Sequence, residues 1–303
     1  MLDISFIDKE EILQRLFPLA FKIPEMNGMP SLSLSDSSHG EAYFVDVTDS
    51  IRICCKFWVD DKKSPSILYF HGNDEDALKQ SHLATWCMQN GINLFVADYR
   101  GYGISDGAPT MTSLFQDCHV IFEYFKKTLK KEKYNPDIFV MGRSLGSMPA
   151  IEVAFAHQND IKGLIVESGT GQNFNSLWKN SDPASVQNLT GTKFYNKDKI
   201  QDITIPTLFI HGDQDKLIPY QIGEMLYQLS GAKTKIIVLI PGAGHNDLID
   251  IGDEDYFTAL KQFVKKKTRK PASKTSRTKT TKTQTGKSKS SSTKTKRSKS
   301  SSD

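Results

Sequence analysis

The sequence predicts an α/β fold: a mostly parallel, doubly wound sheet with helices on both faces. Three observations carry this. From about residue 66 onward, short apolar runs alternate with segments of helical periodicity. Several runs, such as I-L-Y-F at 67–70, N-L-F-V-A-D at 93–98, D-I-F-V-M-G at 137–142, G-L-I-V-E-S at 163–168 and T-L-F-I-H-G at 207–212, are apolar on successive positions. That is the pattern of strands covered on both faces, not of strands with one wet side. Finally, 303 residues are enough to bury one large core of this kind.

The elements follow in order. Strands are expected over 41–47, 50–59, 66–71, 93–98, 137–142, 161–167, 205–211 and 235–240. The first two suit an antiparallel hairpin, with Asp49 and Ser50 as the turn. Helices are expected near 76–90, 112–132, 145–158, 219–230 and 254–267. Ahead of the sheet, Glu11 to Phe21 is apolar and suits a short helix stopped by Pro18, packed on the body in preference to a membrane surface. Residues 22–40 are rich in Pro, Ser, Gly and Asp and read as a loop. Residues 168–204 break the alternation and are long for a connection, which leaves a small cap or a plain surface excursion. The chain therefore divides into an N-terminal extension with a short apolar helix (1–40), a main α/β domain (41–267) and a Lys/Ser/Thr-rich tail (268–303).

Charge separates the same parts. The net charge is +4, yet Lys265 to Asp303 carries fifteen basic side chains and one acid, which leaves 24 basic and 34 acidic residues upstream. An acidic body thus bears a basic tail, and that tail is too poor in apolar surface to offset the entropy of ordering. It suits nonspecific contact with nucleic acid or an anionic membrane, and its lack of aromatic residues excludes base stacking. The four cysteines (Cys54, Cys55, Cys87, Cys118) show no zinc or redox spacing and read as reduced, apolar side chains. The N-terminus lacks the pattern of a secretory signal, and no apolar stretch approaches the roughly 20 residues of a membrane span. A cytoplasmic location is the expectation.

The chemistry is concentrated in a few loops that follow strands, where ligands bind in open α/β sheets. Gly142 to Gly146 reads G-R-S-L-G between an apolar run and the helical segment A-I-E-V-A-F-A. Such a motif also occurs by chance in turns; the strand before and helix after mark this one as a nucleophile elbow that holds Ser144 above the sheet. The Leu145 amide, at a helix start, is then aimed at a reacting carbonyl oxygen. A serine hydroxyl needs a base, and His245 in P-G-A-G-H-N-D follows the last strand. The imidazole needs an acid behind it. T-L-F-I-H-G-D-Q-D offers Asp213 and Asp215, and Asp215 is preferred because it lies beyond the tight His-Gly turn, with Asp213 capping the loop. The backbone N–H of Asn73, after the third strand, is the second oxyanion donor. His71, Tyr99 and Arg100 are read as structural, and Asp74, Glu75 and Asp76 as charges favoured near a helix start.

The chain resembles the Bem46-like, ABHD-type proteins of the α/β-hydrolase superfamily. The resemblance rests on H-G-N at 71–73, D-Y-R-G-Y-G-x-S at 98–105, G-R-S-L-G-S-x-P-A at 142–150, H-G-x-x-D-x-x-I-P at 211–219 and G-x-G-H-N-D at 242–247. It implies the α/β-hydrolase fold with a small or absent cap and, through the Asp of H-G-x-x-D, supports Asp215 as the triad acid. Met148 departs from it, standing where a small residue is usual. The expected activity is that of a serine hydrolase: Ser144, Asp215 and His245 cleave a small carboxylic ester or thioester through an acyl-enzyme, with oxyanion donors at Asn73 and Leu145. Neither metal nor organic cofactor is required. The alternatives are a non-catalytic scaffold of the same fold, and a peptidase or amidase.

Overall fold

The structure is a computed structural model that describes residue 4 and residues 7–17, 40–171 and 192–266. The expected tail, the loop at 22–40 except its last residue, and most of the 168–204 excursion lie outside the described residues. The sheet begins as a hairpin. β1 (Glu41–Thr48) turns at Asp49–Ser50 into antiparallel β2 (Ile51–Trp58), which then pairs antiparallel with β4 (Asn93–Ala97). The remaining pairs are parallel: β4 with β3 (Ser66–Phe70), β3 with β5 (Ile138–Arg143), then β6 (Gly163–Glu167), β7 (Thr207–Gly212) and β8 (Lys235–Ile240). The order across the sheet is β1-β2-β4-β3-β5-β6-β7-β8.

The apolar runs explain why the sheet is covered twice. Alternate side chains of a strand point to opposite faces, and here both sets are buried. Phe57, Leu68, Phe70, Phe95, Val140, Val166 and Phe209 share one core with α3 (Met111–Lys131) and α4 (Ser147–His157). Ile67, Tyr69, Leu94, Val96, Phe139, Met141, Ile165 and Leu208 share the other with α2 (Ser81–Gln89) and a C-terminal helix. α3 starts at a reciprocal cap, with the Ser113 amide donating to Thr110 Oγ1 and the Thr110 amide to Ser113 Oγ, each at 2.9 Å. Its buried stripe, Leu114, Cys118, Ile121, Phe122, Phe125 and Leu129, has helical spacing.

The described part of the N-terminal segment packs on the body, while Pro18 to Phe21 of the expected segment lie outside the described residues. α1 (Glu10–Leu16) buries Ile12, Leu13 and Leu16 in the α3/α4 core, and Phe17 meets the Tyr102 ring edge-on at 6.5 Å. Asp8 ties it further by accepting from the Met111 amide at 2.7 Å. Two helix boundaries differ from the sequence reading. A single helix is expected over 76–90, but a one-turn 3₁₀ segment at Ala77–Lys79, capped by Asp76, precedes α2. The last helix begins at Leu248, not near 254, and is bent at Gly252. A Cβ at Gly252 would lie 2.2 Å from Ile240 Cγ2, so the glycine serves close packing on β8.

All four cysteines are buried and unpaired, and burial pushes the Cys54 thiol up to about 12. Among the described residues, no helix is long and apolar enough to cross a membrane. Because β3, β5, β7 and β8 are parallel, the loops carrying Asn73, Ser144, Asp215 and His245 leave the same rim of the sheet.

Candidate active site

The elbow is built at the end of β5. Ser144 has φ of +53°, a left-handed value that a non-glycine residue adopts at a cost of roughly 1–3 kcal/mol. Its two glycines allow the turn to close. A Cβ at Gly142 would lie 2.2 Å from the Gly146 carbonyl oxygen, and one at Gly146 only 2.0 Å from that of Phe70. The elbow is thus pressed against the end of β3, from which the loop carrying Asn73 departs. Ser147 braces it from behind: its hydroxyl donates to the Ser144 carbonyl at 2.6 Å and accepts from the Thr170 amide at 3.0 Å. Met148 is buried in the α3/α4 core.

The structure brings the three expected side chains together. His245 Nε2 lies 2.8 Å from Ser144 Oγ, and His245 Nδ1 lies 2.7 Å from Asp215 Oδ2. An ionised carboxylate can only accept, so Nδ1 carries the proton and Nε2 presents its lone pair to the serine hydroxyl. The Asp215 side chain is fully buried. Its other oxygen accepts from the Leu217 and Ile218 amides at 2.9 and 2.8 Å. Asp213 accepts from the Gly242 amide at 2.8 Å, bracing the start of the His245 loop. The Asn73 side chain accepts a hydrogen bond from the Tyr102 hydroxyl, which anchors that loop.

Burial alone would raise the Asp215 pKa, but hydrogen bonds from His211, His245 and the Ile218 amide outweigh it and hold the carboxyl well below the usual range. A depressed folded-state pKa stabilises the protein above the unfolded value, near 3.9, and this stabilisation is lost as pH falls through the folded value. The difference in urea midpoint between wild type and Asp215→Asn is therefore expected to stay constant near neutrality and to narrow below about pH 4. A difference that held unchanged in acid would contradict this.

The residues read as structural have structural partners. His71 is buried between Asp98 Oδ1 at 3.0 Å and the Gly72 carbonyl at 2.7 Å, and Tyr99 donates to the His71 carbonyl at 2.6 Å. Arg100 holds Asp117 through two bonds of 2.7 Å.

Four further residues escape the sequence reading. His211 Nε2 lies 3.3 Å from Asp215 Oδ2 and 2.8 Å from the Ile218 carbonyl, so it steadies the acid from behind. Arg143, inside the elbow motif, contacts Glu75, Glu167 and the His245 loop. Burial would lower the Arg143 pKa, but the two carboxylates raise it further. Burial raises that of Glu167, which accepts from the Tyr256 hydroxyl at 2.7 Å. One cue existed: an acid ending a strand buried on both faces needs a partner.

Among the described residues, Glu123, His157 and Asp160 bring metal-ligating atoms within 4.8 Å of one another. The Lys126 ammonium already sits there, 2.8 Å from Glu123 and 3.0 Å from Asp160. The group lies at the end of α4 remote from Ser144, away from the Ser144–His245–Asp215 contacts.

Comparison with known proteins agrees with this architecture. Residues 61–180 match the family described as serine aminopeptidase, S33. The human alpha/beta hydrolase domain-containing protein 17B is 28% identical over 229 residues, covering 74% of this chain and 75% of its own length. The Caenorhabditis elegans alpha/beta hydrolase domain-containing protein aho-3 is 29% identical over 60% of this chain, which spans about half of it (53%). Among solved structures, Est1E from Butyrivibrio proteoclasticus superposes with a TM-score of 0.60 at 20% identity, covering 74% of this chain and 99% of its own. The Paleococcus ferrophilus monoacylglycerol lipase gives 0.55 at 16%, covering 70% and 98%. With strand order, elbow and relatives in agreement, the chain has the α/β-hydrolase fold and is similar to hydrolases of the ABHD type.

Proposed function

We propose that the chain is a serine hydrolase that cleaves a carboxylic ester or thioester through an acyl-enzyme, with residues 41–267 as the catalytic domain. The observation that carries this is the unbroken path from Ser144 Oγ through the His245 ring to Asp215, with contacts of 2.8 and 2.7 Å. In the first half-reaction His245 Nε2 takes the hydroxyl proton as Ser144 attacks the carbonyl carbon. The Leu145 and Asn73 amides meet the charge that develops on the carbonyl oxygen. Asp215 compensates the imidazolium, which then protonates the leaving group. In the second half-reaction water takes the place of the leaving group, and His245 removes its proton as it attacks the acyl carbon. The imidazolium then returns that proton to Ser144 Oγ as the acyl–serine bond breaks and the acid is released. This sequence needs no metal or organic cofactor.

An ester or thioester is favoured over an amide because alkoxide and thiolate leave more readily than amine. The similarity to a Pyrococcus furiosus esterase and to the Paleococcus ferrophilus monoacylglycerol lipase points the same way, whereas the description of the matched family names a peptidase. A panel of p-nitrophenyl esters of rising acyl length, acyl-CoA thioesters and aminoacyl p-nitroanilides separates these outcomes. Turnover of esters or thioesters by wild type, absent in Ser144→Ala, supports the reading. Turnover confined to anilides replaces it with a peptidase, and none in any class points to a scaffold.

The basic residues 268–303 are proposed to attract polyanions, nucleic acid or anionic membrane through charge alone. Binding by the full chain is expected to fall steeply with salt and to vanish when 268–303 is deleted. Salt-insensitive binding, or binding that survives the deletion, contradicts this.

A further inference from the structure

The residue before the nucleophile is Arg143, a cation whose side chain is only 9% exposed at the end of a central strand. Its three nitrogens go to three different places. Nε lies 3.2 Å from Glu167 Oε1, at the end of neighbouring β6. Nη1 lies 2.5 Å from Glu75 Oε1. Nη2 donates to the His245 carbonyl at 2.9 Å and to Asn246 Oδ1 at 2.7 Å. Glu75 passes the connection on, because its Oε2 accepts from the Gly72 amide at 3.0 Å, one residue before Asn73. Gly72 belongs to the same arrangement: a Cβ there would lie 2.4 Å from Arg143 Nη1.

We propose that Arg143 is a positioning residue of the hydrolytic site, a single guanidinium that fixes the base loop and the oxyanion loop relative to the nucleophile one residue away. The proposal rests on the reading of Ser144 as the nucleophile. Arg143 holds the loop by the carbonyl of His245 itself, so a shift in this contact moves the imidazole. Displacements near 1 Å at a reacting centre cost on the order of 10²-fold in rate. Through Glu75 the same group sets the Gly72–Asn73 backbone, where the oxyanion donor lies. The planar fork is essential, since the three donors of lysine sit on one nitrogen and cannot span partners set around three separated guanidinium nitrogens. Glu75 and Glu167 neutralise and orient the fork; a buried cluster of this kind is weak evidence for stability in itself, because desolvation opposes the attraction.

The test compares Arg143→Lys and Asn246→Ala with wild type in kcat, KM and rate of fluorophosphonate labelling, each normalised to folded protein. Arg100→Lys, which loses the two bonds to Asp117 in a pair outside the site, controls for the loss of a structural ion pair. Arg143→Lys is expected to lose about 10- to 100-fold in kcat and labelling rate with KM little changed. Asn246→Ala removes one acceptor, leaves the ionic cluster whole, and is expected to lose about fivefold. Arg100→Lys is expected to keep the wild-type rates.

Folded Arg143→Lys with wild-type rates, or with KM alone altered, overturns the proposal and leaves the nucleophile reading intact. Where Arg143→Lys does not fold, Asn246→Ala decides, and wild-type rates for it overturn the proposal. Failure of wild type itself to be labelled overturns instead the reading on which the proposal rests.

Discussion

Ser144→Ala and His245→Ala are each expected to lower kcat by roughly 10⁴- to 10⁶-fold, and the double variant to fall no further than the worse single one. The reason lies in the geometry. The hydroxyl and the imidazole are 2.8 Å apart, and in the proposed mechanism they pass one proton between them. Removing either member removes the same pathway, so the second deletion has nothing left to take. A residual rate is expected in all three variants, because oxyanion donors and substrate binding act without the triad. Single-turnover kinetics with the best ester of the panel measures this. Multiplicative losses in the double variant would show that the two groups act independently, and the proposed proton transfer would not stand.

Gly146→Ala is expected to destabilise the protein by about 3 kcal/mol and to damage catalysis in the fraction that remains folded. An added methyl there would lie 2.0 Å from the Phe70 carbonyl oxygen and 2.6 Å from that of His71. Both obstacles are backbone at the end of β3, a strand paired on both sides, so neither can swing away as a flexible side chain would. The elbow must retreat from β3, and the distance between the Leu145 and Asn73 amides must change with it. Urea unfolding and kcat measured on the same preparation check both parts. A loss of stability below about 0.5 kcal/mol would mean that the elbow is not wedged against β3.

The sheet was legible because strands covered on both faces leave uninterrupted apolar runs, and all eight appear where those runs occur. The rim was legible for a related reason. Strained turns demand glycine, and G-R-S-L-G, H-G-x-x-D and G-x-G-H mark where β5, β7 and β8 end. The choice of Asp215 over Asp213 was also within reach, since the loop must run past its tight turn before a carboxylate can face His245. The bracing side chains were less visible. Glu75 lies 68 residues before Arg143 and Glu167 lies 24 after it, and no local spacing announces that they share one guanidinium. His211 was read as part of a turn, yet packing of Gly223 against its ring and its contact with Asp215 give it a role in holding the acid. Helix ends near Ala77 and Gly252 were misplaced because packing, not local propensity, set them.

Mass spectrometry of the chain after reaction with a fluorophosphonate tests the central claim most directly. The account predicts one adduct per chain, on Ser144, formed about 10³-fold or more slowly when His245 is replaced by alanine. An adduct on another residue, or equal labelling with and without the histidine, would contradict it.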